Sequence, residues 1–191
     1  MKPILIALSA ALYAGALAAS PVTYNVDPNH THPSFETDHM GGLSVWRGMF
    51  RSSSGRVIYD AVAHTGEVDI SVDTGSVDLG HDKLSEHVKS ADMLDAARFP
   101  TATYKGRFSK FNGDTPAEVE GELTLHGVTK PLKLTINSFM CKPHPVLKRE
   151  VCGADASASL NRADFGINLG EAMGFKMDVK LAIQIEAIRA D

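Results

Sequence analysis

The chain has 191 residues, 43% of them hydrophobic, with 19 Lys and Arg against 23 Asp and Glu. A net charge of −4 argues against nucleic acid or an anionic membrane surface as a main partner, because both are recognised by basic patches. The length suits one domain with a sizeable core.

The first element is not part of that core. Lys2 gives a positive start, Ile4 to Leu17 is an apolar run rich in Ala and Leu, and Ala16-Leu17-Ala18 has the small-x-small pattern of a signal peptidase site. The run falls short of the roughly 20 residues of a membrane span. The expectation is a cleaved secretory signal over residues 1–18 and a single mature domain over 19–191, with a retained anchor as the alternative. Loss of Lys2 leaves 18 basic against 23 acidic side chains, a mature net charge of about −5. No Cys follows the cleavage region to mark a lipoprotein, and no later stretch is long and apolar enough to cross a bilayer.

Beyond the signal, alternation of apolar and polar residues dominates, the mark of strands with one buried face. Short candidates come first: Val22–Asp27, Ser34–His39, Trp46–Phe50 and Arg56–Tyr59, some of them halves of one bent strand. Ser53-Ser54-Gly55 reads as a turn before Arg56. Val68, Ile70 and Val72 then alternate with acids and serine. From His81 to Ala97 the rhythm changes: Leu84, His87, Val88, Met93, Leu94 and Ala97 recur at helical spacing. One or two short helices are expected there, with Ser90 or Asp92 as a cap and Pro100 barring helix beyond Phe99. Thr103–Phe111 is again a strand, closed by Asn112-Gly113-Asp114. Val119, Gly121, Leu123 and Leu125 alternate with Glu118, Glu120, Glu122 and Thr124, and His126-Gly127 forms a tight hairpin signal before Leu132, Leu134 and Ile136. Ala154–Leu160 and the run of Val179, Leu181, Ile183 and Ile185 complete the set.

Many short strands with hairpin signals favour an antiparallel, all-β sandwich or barrel over a parallel sheet. Closure into a barrel removes the edges those strands would expose. Eight strands leave an interior that either fills with side chains or holds one small ligand. The inward sets are aliphatic and lack charge, so a ligand of such a barrel would be apolar; a solid core is the alternative. Cys141 and Cys152 are the only cysteines, and in an exported chain such a pair is most simply a disulfide.

Several blocks go beyond a generic barrel. Tyr24-Asn25-Val26-Asp27-Pro28-Asn29-His30-Thr31, followed by Phe35 and His39, resembles the opening of the YceI-like family. Trp46–Phe50 stands where that family has a G-x-F element, and Asp95–Ala102 is similar to its stretch around a [YF]-P pair. Gly121–Pro131 is the most specific block, Arg162-Ala163-Asp164-Phe165-Gly166 resembles the closing R-x-D-[FW]-G element, and the cysteines resemble a two-cysteine periplasmic branch. Departures lie at Met93 and Leu94, where many members carry Phe, and at His81-Asp82, where an Arg-Asp pair is common.

The resemblance implies an eight-stranded, antiparallel, lipocalin-like barrel in the periplasm that binds a polyisoprenoid chain, such as an isoprenoid quinone or a prenyl pyrophosphate. It implies a binding protein rather than an enzyme, with no cofactor besides the lipid. A homodimer and a transient contact with a membrane or membrane protein are compatible with it. The lumen would be lined by Phe35, Val68, Ile70, Val72, Tyr104, Phe108, Leu123, Leu125, Leu134, Ile136, Leu181, Ile183 and Ile185. Their inward direction rests on alternation, and a one-residue slip would turn a whole strand's set outward.

Other chemistry has less support. His30 and His32, joined by His39 or His126, could approach a metal, but Pro33 follows directly and the family pattern accounts for His30 without one. No Gly-x-Ser-x-Gly elbow and no Gly-rich phosphate loop occur. Arg162, Lys130 and Arg47 are candidate cations for a charged head group, with loop bracing as the other role for Arg162. The runner-up function is a solid-core interaction module that docks to a membrane redox or stress-response partner.

Overall fold

The computed structural model describes residues 20–191. The expected signal, residues 1–18, lies outside them. Strands β1 (Val22–Val26), β2 (His32–His39), β3 (Ser44–Phe50), β4 (Ser53–Asp60), β5 (Thr65–Asp73) and β6 (Val77–Asp78) precede helix α1 (Asp82–Lys89). Five longer strands follow: β7 (Thr101–Asn112), β8 (Thr115–Leu125), β9 (Val128–Pro143), β10 (Glu150–Asn161) and β11 (Asp178–Arg189). The order β1-β4-β5-β7-β8-β9-β10-β11 closes through β1–β11 into an antiparallel barrel of eight strands.

Three of the eight staves are bent strands. The first is β1 continued by β2, the second β3 continued by β4, the third β5 continued by β6; the first two keep both neighbouring staves across the break, while β6 pairs with β3 alone. Pro28 has no N–H for a ladder, so the first stave breaks there. The buried Thr31 rejoins it to β11: its Oγ1 donates to the Glu186 carbonyl at 3.1 Å and accepts the Glu186 N–H at 3.1 Å. A 3-10 turn at Thr74–Ser76 breaks the third stave. The Asp73 N–H donates to the Ser52 carbonyl, and the Arg51 N–H to the Ser76 carbonyl, so the second and third breaks lie side by side.

Gly55 corrects the expected turn at Ser53–Gly55. These residues sit inside β4, paired with Val72 to Ile70. A Cβ on Gly55 would lie 2.1 Å from the Asp69 carbonyl oxygen, so the glycine serves close strand approach. The His126-Gly127 hairpin forms as expected, with φ of 52° and 74° at its two central residues, the pattern of a type I′ turn.

The ladder of β6 ends after two residues, and the segment 79–100 spans from there to β7. One helix forms in it. Met93 to Ala97 stays in turns, because Asp95 takes a left-handed φ of 44° and stops helical propagation. Leu94 is nevertheless buried, in one cluster with Val77, Phe165 and Ile167 beneath α1. Phe99 packs on His126 at 4.6 Å between ring centroids, which fixes this segment to the β8–β9 hairpin.

The two ends of the barrel differ. One is closed by Tyr24, Tyr59 and Cys152, packed against Phe108, Phe139 and Cys141. Cys141 and Cys152 are directly paired across β9 and β10 and form a disulfide. Tyr24 donates its hydroxyl to Glu150, and burial together with that bond raises its pKa well above the ordinary tyrosine range. The other end carries α1, the β2–β3 turn and the loop from Arg162 to Met177.

Candidate ligand cavity and its mouth

The barrel interior is hollow. A cavity of about 630 Å³ runs from Tyr24 and Tyr59 at the closed end to Trp46, Met173 and Phe175 at the other. That volume lies within the usual range of small-molecule sites. The walls are almost wholly apolar, supplied by alternate residues of every long strand.

All thirteen residues expected from alternation line this cavity: Phe35, Val68, Ile70, Val72, Tyr104, Phe108, Leu123, Leu125, Leu134, Ile136, Leu181, Ile183 and Ile185. Register explains their agreement, since Ile70 pairs with Tyr104, Tyr104 with Leu123, and Phe35 with Leu181. Two side chains lie over glycine gaps in neighbouring strands. A Cβ on Gly48 would meet Phe35 Cζ at 2.6 Å, and one on Gly121 would meet Tyr104 Cζ at 2.8 Å. The Tyr104 hydroxyl donates to the Leu132 carbonyl at 3.0 Å, so its polar tip is satisfied inside the wall, and burial raises its pKa.

Sequence alternation misses part of the lining. Phe139 faces the lumen although Leu132, Leu134 and Ile136 set the opposite phase, because the β9–β10 register shifts between Asp155 and Ala156 and leaves Asn137 as the extra residue. Tyr24, Tyr59 and Trp46 come from strand halves too short to show a period. Ile167, Leu169, Met173 and Phe175 come from the loop before β11, which has no period at all.

Polar groups gather at the mouth. His39 stacks on Trp46 at 4.4 Å between centroids and meets the edge of Phe175 at 5.6 Å. Asp38 Oδ2 accepts the backbone N–H of Gly41 at 2.9 Å and of Lys176 at 3.0 Å. The Lys176 and Gly41 bonds hold the Asp38 carboxyl below its ordinary pKa. Arg162 is buried and lines the cavity, yet no carboxylate lies within ion-pair distance among the described residues. Its Nη1 and Nη2 each donate at 2.8 Å, to the carbonyls of Ile167 and Leu169, and burial lowers its pKa. Arg162 thus braces the mouth loop. Of the other candidate cations, Arg47 pairs with Glu36 at 2.7 Å on the outer surface, and exposed Lys130 lies outside the cavity lining.

The histidines considered for a metal are apart in function. His30 Nδ1 bonds Asp27 at 2.8 Å, His39 lies in the aromatic stack, and His126 Nδ1 donates to the Phe165 carbonyl at 3.0 Å. Among the described residues no three His, Cys, Asp or Glu side chains converge as metal ligands.

A UPF0312 protein of Vibrio cholerae is 32% identical over 193 residues, covering 99% of this chain and all of the relative. Another UPF0312 protein, from Azotobacter vinelandii, is 32% identical over 184 residues, covering 95% of this chain and 93% of the relative. Among solved structures, Burkholderia cenocepacia BcnA superposes with a TM-score of 0.66 at 21% identity, over 85% of this chain and 99% of that one. A Saccharophagus degradans domain described as polyisoprenoid-binding superposes at 0.63 and 14% identity, over 88% of this chain and 99% of that one. These two likenesses concern the fold. The YceI-like domain model matches residues 24–187, from the buried Tyr24 of β1 to the buried Ala187 of β11, and the chain belongs to the YceI-like family.

Proposed function

We propose that this protein is a periplasmic carrier that holds one long apolar lipid, a polyisoprenoid, in the barrel lumen without making or breaking a bond. The observation that carries the reading is the cavity of about 630 Å³, walled by aliphatic and aromatic side chains and bounded at one end by the Tyr24, Tyr59 and Cys152 cluster. Each methylene moved from water into such a lumen gains roughly 0.8 kcal/mol, so a long chain is held firmly with few polar contacts. The described polyisoprenoid-binding domain from Saccharophagus degradans, of the same fold, supports the choice of a prenyl chain over other lipids. An isoprenoid quinone or a prenyl pyrophosphate would put its head near Asp38, His39 and Arg162, which are among the polar residues of the lining. Export through the amino-terminal signal places the carrier in the periplasm in this reading.

A solid-core interaction module has less support, because the interior is hollow. Native mass spectrometry of protein purified from periplasm without detergent, followed by organic extraction, tests the proposal. The expected result is a bound mass of several hundred daltons released as a prenyl chain. An apo mass that stays unshifted with excess isoprenoid quinone would sink it.

A further inference from the structure

The loops around the mouth differ in chemistry from those at the closed end. Residues 40–45 contain no charged side chain and residues 167–175 contain only Glu171, whereas the closed-end turns carry Asp114, Lys148 and Arg149. Three side chains of the mouth loops stand largely in solvent: Met40 is 57% exposed, Leu43 73% and Met173 70%. Val45 and Leu169 extend this surface.

The two loops are held together. Asp38 ties the β2–β3 turn to the Lys176 backbone, and a Cβ on Gly41 would lie 3.0 Å from the Gly174 carbonyl oxygen. Leu169 and Met173 belong both to this rim and to the cavity wall, so apolar surface continues from the lumen to the outside. Met40 sits at a φ of 52°, a left-handed conformation in which Gly, Asn and Asp are ordinary. A long apolar side chain in that turn gains nothing from the barrel's own core, since it is exposed.

We propose that this rim docks on the surface of a lipid bilayer and forms the path by which the chain in the lumen is exchanged. The inference rests on the lumen being a lipid site. A chain leaving through water would expose its whole hydrocarbon length, whereas a rim seated in the interface joins bilayer and lumen through continuous apolar contact. The occupant is the uncharged acyl boundary rather than anionic head groups, because residues 40–45 and 167–175 carry no basic side chain, Lys176 beside Gly42 is a single exposed cation rather than a basic patch, and the chain is net acidic. Trp46, at the mouth, has the amphipathic ring suited to that depth.

The test uses the purified protein with phosphatidylcholine vesicles free of anionic lipid. Co-sedimentation is expected and persists in high salt, and brominated acyl chains quench Trp46, the only tryptophan. Met40→Asp with Leu43→Asp lowers vesicle binding and prenyl transfer from vesicles by about ten-fold or more. The pair leaves equilibrium capture of a short, dissolved prenyl alcohol unchanged. Val62→Asp with Val146→Asp, exposed at the closed end, leaves vesicle binding unchanged. Absence of vesicle binding, or an equal loss from the closed-end pair, overturns the docking surface. A concentration-dependent dimer abolished by the rim pair, with no vesicle binding, overturns it in favour of a second copy. Vesicle binding without capture of any prenyl chain leaves the rim standing and removes the lumen reading instead.

Discussion

The ring of Phe35 lies across Gly48, its direct partner on β3, so closely that a Cβ at position 48 would meet Phe35 Cζ at 2.6 Å. The side chain of Leu79 closes the same space, with Cγ 3.0 Å from that Cβ position. Gly48→Val therefore pushes Phe35 into the lumen. The expected outcome is a loss of about 1 to 3 kcal/mol of stability from overpacking, and weaker prenyl capture. Urea unfolding and ligand titration on the same variant check both.

Ala156 faces Ile136 and Ile183 from the neighbouring strands and lines the cavity. Ala156→Trp fills the middle of the lumen with the new ring. Because the volume is already empty, folding is expected to survive while chain binding falls at least ten-fold, about 1.4 kcal/mol or more. Native mass spectrometry of the variant reads this directly. A Trp variant that retains full occupancy would mean the chain binds elsewhere.

Arg162 holds the mouth loop through the Ile167 and Leu169 carbonyls. Arg162→Met keeps much of the packing and leaves two acceptors without donors, a cost of about 1 to 3 kcal/mol for each that stays buried. Limited proteolysis between residues 166 and 176 should accelerate in this variant before the barrel itself unfolds. Uniform destabilisation with no new cleavage there would contradict the bracing role.

The disulfide lies at the end opposite the mouth. Replacing Cys141 and Cys152 by Ser reopens a loop with a sequence separation of 11. The expected loss is about 2 to 3 kcal/mol, from the freedom returned to the unfolded chain. Thermal unfolding should show that loss, while prenyl capture below the melting range falls far less than in Ala156→Trp, because Cys152 touches only the closed end of the cavity.

The two groups of one ion contact make stability depend on pH in opposite directions. The hydrogen bond between His30 and Asp27 lowers the Asp27 pKa from its ordinary 3.8 and raises that of His30 from its ordinary 6.5. The Asp27 share is complete above 3.8 and is lost as pH falls through its depressed value; the His30 share is complete below 6.5 and is lost as pH rises through its raised value. Asp38 behaves as Asp27 does, so acid frees the mouth loops from each other. The protection of the Gly41 and Lys176 amides, taken relative to the intrinsic exchange rate at each pH, should fall in acid in the parent protein and be low at all pH values in Asp38→Ala.

Much of the barrel was legible in the sequence because strand alternation is a local property. The thirteen lumen positions are implied by the family resemblance, with their inward direction resting on period two, and all of them line the cavity; His126-Gly127 announces its turn because glycine accepts positive φ and histidine tolerates it in a type I′ hairpin. The pairing of the two cysteines is expected from their number and the expected export of the chain, and the structure adds that they face each other across β9 and β10.

Tertiary structure decided what depends on register and on distant contacts. The bulge at Asn137 turns Phe139 inward, against the phase set by Leu132 to Ile136, and no residue type there signals it. Gly55 reads locally as a turn but serves close approach to Asp69, which lies on a different strand. The mouth is the clearest case: Asp38, at the end of β2, is far in the chain from Arg162 and Met173, and these residues acquire their roles only where the β2–β3 turn meets the aperiodic loop before β11. Local pattern specifies which way a strand's side chains point, while closure, bulges and loop packing decide whether the space they enclose is filled, hollow or open.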